Sequence, residues 1–148
     1  ADETLGVKAN LRSFFEDVPQ RLAHAHLVVC RAGASTMAEL ATVGRPAVLI
    51  PYPYAADNHQ LANAKAIELV VGGWVVPEPE FTPTTFAARL ETILTNPESL
   101  VPVAEAARSL AIDDAADRLA DLVERILRAS PNMRDSSSAA PENSAGEQ

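Results

Sequence analysis

The chain has 148 residues, 47% of them apolar and 22% charged, which suits one soluble globular domain able to bury a core, with room for a tail. No apolar run reaches the roughly 18 residues of a membrane span, and no basic stretch followed by an apolar one marks a signal peptide. The net charge of −8 makes the chain a poor partner for a nucleic-acid backbone, and its single cysteine, Cys30, excludes an internal disulfide and a cysteine-based metal cluster.

In chain order, R-S-F-F (12–15) reads as a short strand end, and Asp17 opens a helix to about Ala25 with Pro19 in its first turn. H-L-V-V-C (26–30) is a continuous apolar run, the signature of a strand buried on both faces. A helix follows from about Met37 to Val43, stopped by Gly44. Pro46 leads a second buried strand, A-V-L-I (47–50); Pro51 and Pro53 stiffen the next turn; Asp57 caps a helix to about Val70. W-V-V (74–76) is a third strand. Helices are expected at about 83–95, 98–109 and 114–128, the first two behind T-P and N-P pairs, each a cap residue with Pro at the first helical position. The last carries Ala115, Leu119, Leu122, Val123 and Ile126 at helical spacing. From Ser130 to Gln148 the chain is rich in Ser, Ala, Pro and Glu, so a disordered tail is expected there.

Alternating strands and helices with short connections predict parallel βαβ units in a Rossmann-like α/β sheet with flanking helices. Three strands after residue 25, plus one near residue 14, fall short of the usual six. With Ala1 rather than Met at the start, the expectation is the later portion of such a domain, over residues 1–129, entered after its first strands.

Ligands of open α/β sheets bind beyond the carboxyl ends of the strands. Three loops are expected at that edge: Phe15–Asp17, Arg31–Thr36 and Pro51–Gln60. In C-R-A-G-A-S-T-M-A-E-L (30–40), Gly33 permits close approach to the backbone, Ala34 and Ser35 are small, and Thr36 offers a hydroxyl near a helix N-terminus. The same letters fit a capping box, Thr36 capping and Glu39 reaching back. Both readings stand at this point. The pattern is neither G-x-G-x-x-G nor a P-loop. Glu39, one helical turn on, is placed to accept two ribose hydroxyls. Asp57 and Gln60 again have capping-box spacing, and His59 and Gln60 can hydrogen-bond sugar hydroxyls. No His or Cys stands at metal-ligand spacing and no cofactor motif occurs, so no metal and no cofactor are expected. No nucleophile elbow or Cys–His motif is visible, and no residue of this chain is assigned as catalytic.

Together, F-F-E-D-V-P (14–19), H-L-V-V-C-R-A-G-A-S-T-M-A-E-L (26–40), G-R-P-A-V-L-I-P (44–51) and D-N-H-Q-L-A-N-A (57–64), with F-T-P (81–83) and D-A-A-D-R-L-A-D-L-V (114–123), resemble the C-terminal half of the MurG family, the bacterial peptidoglycan transferases of glycosyltransferase family 28. The resemblance spans about residues 5 to 128. It implies half of a GT-B architecture, two Rossmann-like domains facing across a cleft, with the UDP-GlcNAc donor held by this half. It implies uracil contact through the backbone at Phe15, diphosphate contact at Gly33, Ala34, Ser35 and Thr36, ribose contact at Glu39, and sugar contacts at His59 and Gln60. His59 stands where many members have Gln.

The reaction implied is inverting transfer of GlcNAc to undecaprenyl-diphospho-MurNAc-pentapeptide. The general base and the lipid-acceptor site belong to an N-terminal domain outside these residues, so the 148 residues alone are expected to be soluble and inactive. Peripheral contact with the cytoplasmic face of the inner membrane is implied for the whole enzyme. Two other readings stay open: a free-standing transferase subunit needing a membrane partner, and a non-catalytic nucleotide-binding or interaction module.

Overall fold

The computed structural model describes residue 6 and residues 8–129; the tail expected from Ser130 onward lies outside them. The chain divides into two units, Ala1–Ala111 and Ile112–Gln148. In the first, three strands, β1 (Val28–Cys30), β2 (Ala47–Leu49) and β3 (Gly73–Val75), form one parallel sheet in the order β1-β2-β3. Helices α1 (Val18–His24), α2 (Ala34–Val43), α3 (His59–Leu69), α4 (Pro83–Leu94) and α5 (Leu100–Arg108) surround it. The Rossmann-like parallel class expected from the sequence is borne out.

Register explains the core. Val28 pairs with Ala47, and Ala47 with Gly73. Because side chains alternate across a strand, Ala47 and Leu49 point to one face of the sheet and Val48 and Ile50 to the other. The first face packs Met37 and Leu40 of α2 and Ala64 and Ile67 of α3, with Val28, Cys30 and Val75 beside them. The second packs Val76 and Ile93, with Leu27, Trp74, Phe86 and Leu100 against them. Central β2 is therefore wholly buried, as its A-V-L-I run predicts.

The same reasoning corrects the reading of β1. It pairs only with β2 among the described residues, and Val29 is 43% exposed, so this run is not buried on both faces. An apolar run reports tolerance of burial; the number of neighbours decides it. Residues 12–15 form no strand. They join no ladder, and Phe14 is largely exposed.

Gly44 ends α2 in the left-handed region (φ 60°, ψ 58°), its N–H donating to the Ala41 carbonyl and that of Arg45 to the Leu40 carbonyl. Arg108 of α5 reaches back to donate to the Thr42 carbonyl at 2.6 Å, fastening α5 to the end of α2. Ahead of α4, Thr82 accepts the Thr85 N–H while the Thr85 hydroxyl accepts the Thr82 N–H, a complete capping box behind Pro83. Asn96, expected to cap likewise, makes no side-chain cap bond; Pro97 instead opens a 3₁₀ turn, and α5 begins at Leu100.

The glycine pair at the start of β3, Gly72 before it and Gly73 as its first residue, sets how closely the layers approach. A Cβ on Gly73 would lie 2.6 Å from the Ala47 carbonyl oxygen, and one on Gly72 2.9 Å from the backbone of Ala107. Backbone atoms of the central strand cannot give way as a side-chain tip does. Gly73→Ala is therefore expected to cost about 2–3 kcal/mol, read as a lower urea midpoint with an unchanged slope.

The second unit contains α6 (Ala115–Ala129). Its predicted apolar stripe is present, but Leu119, Leu122, Val123 and Ile126 are all exposed. Arg118 pairs with Asp114, the residue just before the helix, at 2.8 Å, and Arg128 pairs with Glu124 within it at 2.7 Å, each four residues apart.

Candidate functional site

The carboxyl ends of the three parallel strands gather the chemistry. β1 ends at Cys30 and passes through Arg31–Gly33 into α2. β2 runs into Pro51 and a turn that ends in the 3₁₀ segment Ala56–Asn58 ahead of α3. β3 runs into a second 3₁₀ turn, Glu78–Glu80.

The first turn of α2 excludes the capping box that T-M-A-E suggested. The helix begins at Ala34, and its N-cap is Gly33 (φ −69°, ψ 146°), which has no side chain to accept a hydrogen bond. Met37 donates to the Gly33 carbonyl, the first bond of the helix. The amides of Ala34, Ser35 and Thr36 come before any intrahelical acceptor, and Ala34 and Ser35 are exposed. Thr36 is thus a first-turn residue and not a cap, and Glu39 does not reach back to a cap. A sequence that reads S/T-x-x-E had the box displaced three residues into the helix. What remains is a bare N-terminus with the positive end of the helix dipole behind it.

Asn63 of α3 braces this turn, its Nδ2 donating to the Ala32 carbonyl at 3.0 Å. Ala32 itself is fully buried. Glu39, exposed on α2, borders a cleft of about 250 Å³ whose far side is Pro19 and Leu22 of α1. The Arg21 guanidinium carbon, on α1, lies 4.0 Å from the centre of the half-buried ring of Phe15, which precedes the helix. Arg21 Nε also donates to Asp17 at 2.7 Å. Asp17 occupies the N-cap position of α1 without a side-chain cap bond, because Arg21 has engaged its carboxylate. That hydrogen bond holds the Asp17 carboxyl below its ordinary range.

The loop after β2 also departs from expectation. Asp57 and Asn58 both adopt positive φ (50° and 53°), which Asp and Asn tolerate best among residues with a side chain. Their strained turn delays α3 to His59, so Asp57 and Gln60 form no capping box. Gln60 Oε1 accepts the Tyr52 N–H at 3.0 Å instead. With its carbonyl engaged, Gln60 retains its amide NH₂ as a donor. The His59 Nδ1 donates to the Ala56 carbonyl at 2.7 Å, leaving Nε2 on an exposed ring.

Arg31, Tyr52 and Glu78 were not legible as a group. Arg31 donates two bonds to the Glu78 carboxylate, at 2.9 and 3.1 Å, and its guanidinium carbon lies 5.6 Å from the Tyr52 ring centre. These residues come from three separate loops, so no local spacing signals them. Asn63 left a fainter signal, an amide on a helical face otherwise given to Ala64 and Ile67.

Cys30 closes β1 beside this edge. Burial pushes its thiol up to about 11, so it carries its proton at neutral pH and does not act as a nucleophile.

Parallel strands with a side-chain-free helix N-terminus, an acid one turn beyond it and an amide side chain at the start of α3 make this an α/β domain with its polar groups at the edge where open sheets hold ligands. The chain belongs to glycosyltransferase family 28: the model described as the glycosyltransferase family 28 C-terminal domain matches residues 3–125. It is 55% identical over 119 residues to the UDP-N-acetylglucosamine–N-acetylmuramyl-(pentapeptide) pyrophosphoryl-undecaprenol N-acetylglucosamine transferase of Rhodospirillum centenum, covering 80% of this chain and 31% of the relative. It is 57% identical over 118 residues to the protein of the same name from Paramagnetospirillum magneticum, with 80% and 32% covered. Among solved structures, the Acinetobacter baumannii MurG crystal structure superposes with a TM-score of 0.70 at 37% identity, over 76% of this chain and 32% of that one. The fold is thus that of the C-terminal part of MurG, and the chain spans about a third of the length of these relatives.

Proposed function

We propose that this chain supplies the donor half of an inverting UDP-GlcNAc transferase that glycosylates undecaprenyl-diphospho-MurNAc-pentapeptide in peptidoglycan synthesis. The observation that carries the reading is the first turn of α2: three amides capped by Gly33 alone, with Glu39 one turn further on. A diphosphate on the amides of Ala34, Ser35 and Thr36 sets the ribose beside Glu39, whose two carboxylate oxygens accept its two hydroxyls. Uracil then lies toward Phe15, in contact with backbone. On the other side GlcNAc meets the Gln60 amide and the His59 ring.

In the transfer step the acceptor hydroxyl attacks the anomeric carbon from the face opposite the diphosphate. The C1–O bond to phosphate breaks as the new C1–O bond forms, and a base in the partner half of the enzyme takes the hydroxyl proton. The part played by this chain is stabilisation of the leaving group. Charge grows on the diphosphate as the bond breaks, and fixed amides and the α2 dipole meet it without reorganisation. The donor half extends over residues 1–129.

The lipid acceptor and a peripheral position on the cytoplasmic face of the inner membrane belong to the same proposal. No helix among the described residues is long and apolar enough to cross a membrane. A polypeptide of these 148 residues is expected to bind UDP-GlcNAc weakly and to transfer no sugar. Titration calorimetry with UDP-GlcNAc tests the first, and radiolabelled transfer to a lipid-linked acceptor tests the second. Turnover by these residues alone overturns the division of labour proposed.

A further inference from the structure

The Arg31 guanidinium lies where the three strand ends meet. Besides its two bonds to Glu78, its Nη1 donates to the carbonyl of Ile50, at the end of β2, at 3.3 Å. The Tyr52 ring centre lies 5.6 Å from the guanidinium carbon, and the Tyr52 N–H is held by Gln60. The pair is accessible: the side chains of Arg31 and Glu78 are 47% and 39% exposed. Each partner perturbs the other. The hydrogen bonds from Arg31 hold the Glu78 carboxyl below its ordinary range, and those to Glu78 raise the guanidinium further. At neutral pH both are charged, and the cation on the loop that leads into α2 is spent on an internal anion.

A planar guanidinium recognises two anionic oxygens on one centre, whether a carboxylate or a phosphate. Arg31 precedes Ala34 by three residues, so its long side chain and the exposed amides of α2 belong to one loop. We infer that Glu78 is a positioning residue that competes with the donor diphosphate for Arg31. In the free chain Glu78 holds the guanidinium across the strand ends, against Ile50 and Tyr52. When a nucleoside diphosphate occupies the α2 turn, Arg31 exchanges Glu78 for phosphate, and the Glu78 carboxylate passes to solvent. Breaking the internal pair lowers diphosphate affinity, so the UDP product is held less tightly than the amides and Arg31 alone would hold it. The inference rests on the donor-site reading above.

Calorimetric titration of UDP and of uridine into the chain, its Glu78→Gln and Arg31→Gln variants and the double variant, with folding followed by circular dichroism, tests it. Glu78→Gln is expected to bind UDP about three- to fivefold more tightly, as loss of an exposed ion-pair competitor implies, with uridine affinity unchanged. Arg31→Gln is expected to weaken UDP, and adding Glu78→Gln to it is expected to change nothing. Unchanged or weaker UDP binding by Glu78→Gln overturns the inference. So does equal tightening in the Arg31→Gln background, which reports a general charge effect and not competition for Arg31. If Glu78→Gln does not fold, Glu78→Asp keeps the charge but breaks the two-point match; it too should tighten UDP, and failure to do so counts against the competition. A folded wild-type chain that binds no UDP removes the donor-site reading itself, and this inference with it.

Discussion

Glu39→Ala is expected to reduce UDP affinity by about 30- to 100-fold, the loss of charge-assisted hydrogen bonds to two ribose hydroxyls. Thermal stability should hardly move, by less than about 0.5 kcal/mol, as for an ordinary surface substitution. The separation follows from where α2 begins. Were Glu39 the far end of a capping box, removing it would destabilise the helix. With Gly33 as N-cap and Ala34 as the first helical residue, Glu39 lies in the second turn, exposed, facing the cleft beside α1. Nothing in the helix start depends on it. Titration calorimetry with UDP and a melting curve on the same preparation check both halves, and a marked loss of stability returns Glu39 to a structural role.

Ser35→Asp should have the larger effect on the ligand and the opposite effect on the fold. Ser35 is the second residue of α2 and is exposed. A carboxylate there faces the amides and the positive end of the dipole, which stabilises the helix by about 0.3–1 kcal/mol. The same carboxylate occupies the place of the diphosphate and repels it, at a cost of several kcal/mol, so UDP affinity falls about a hundredfold or more. Uridine, which lacks phosphate, should bind Ser35→Asp as it binds the wild type but should be lost in Glu39→Ala. A variant that melts higher and binds UDP less is hard to attribute to general damage. The two substitutions together divide the nucleotide into its phosphate and ribose parts.

Local signals carried much of the architecture. Proline followed by four apolar residues marked the buried central strand, T-P marked the start of α4, and Gly44 marked the end of α2, because each depends on the backbone conformation of a few adjacent residues. Burial of β1 was not legible, since it depends on how many strands lie beside it. T-M-A-E and D-N-H-Q misled for a related reason. Cap spacing is periodic, so it fits a box wherever such residues fall within the first turns, and only the backbone fixes which residue starts the helix. In α2 that residue follows glycine; in α3 two left-handed residues displace it. The loop 30–36 was readable either as a cap or as an anion turn, and by resemblance as the family's diphosphate turn. Its supports, Asn63 on the Ala32 carbonyl and Glu78 on Arg31, join residues 31 and 47 positions apart and left no spacing to read.

The donor-site assignment is tested most directly by titrating UDP into the wild-type chain and into Ser35→Asp under the same conditions. A saturable one-to-one isotherm for the wild type, with a dissociation constant of about 10 μM to 1 mM, and none for Ser35→Asp, is the expected result. A folded wild-type chain that takes up no UDP, or UDP binding that persists undiminished in Ser35→Asp, contradicts the placement of the diphosphate on the first turn of α2.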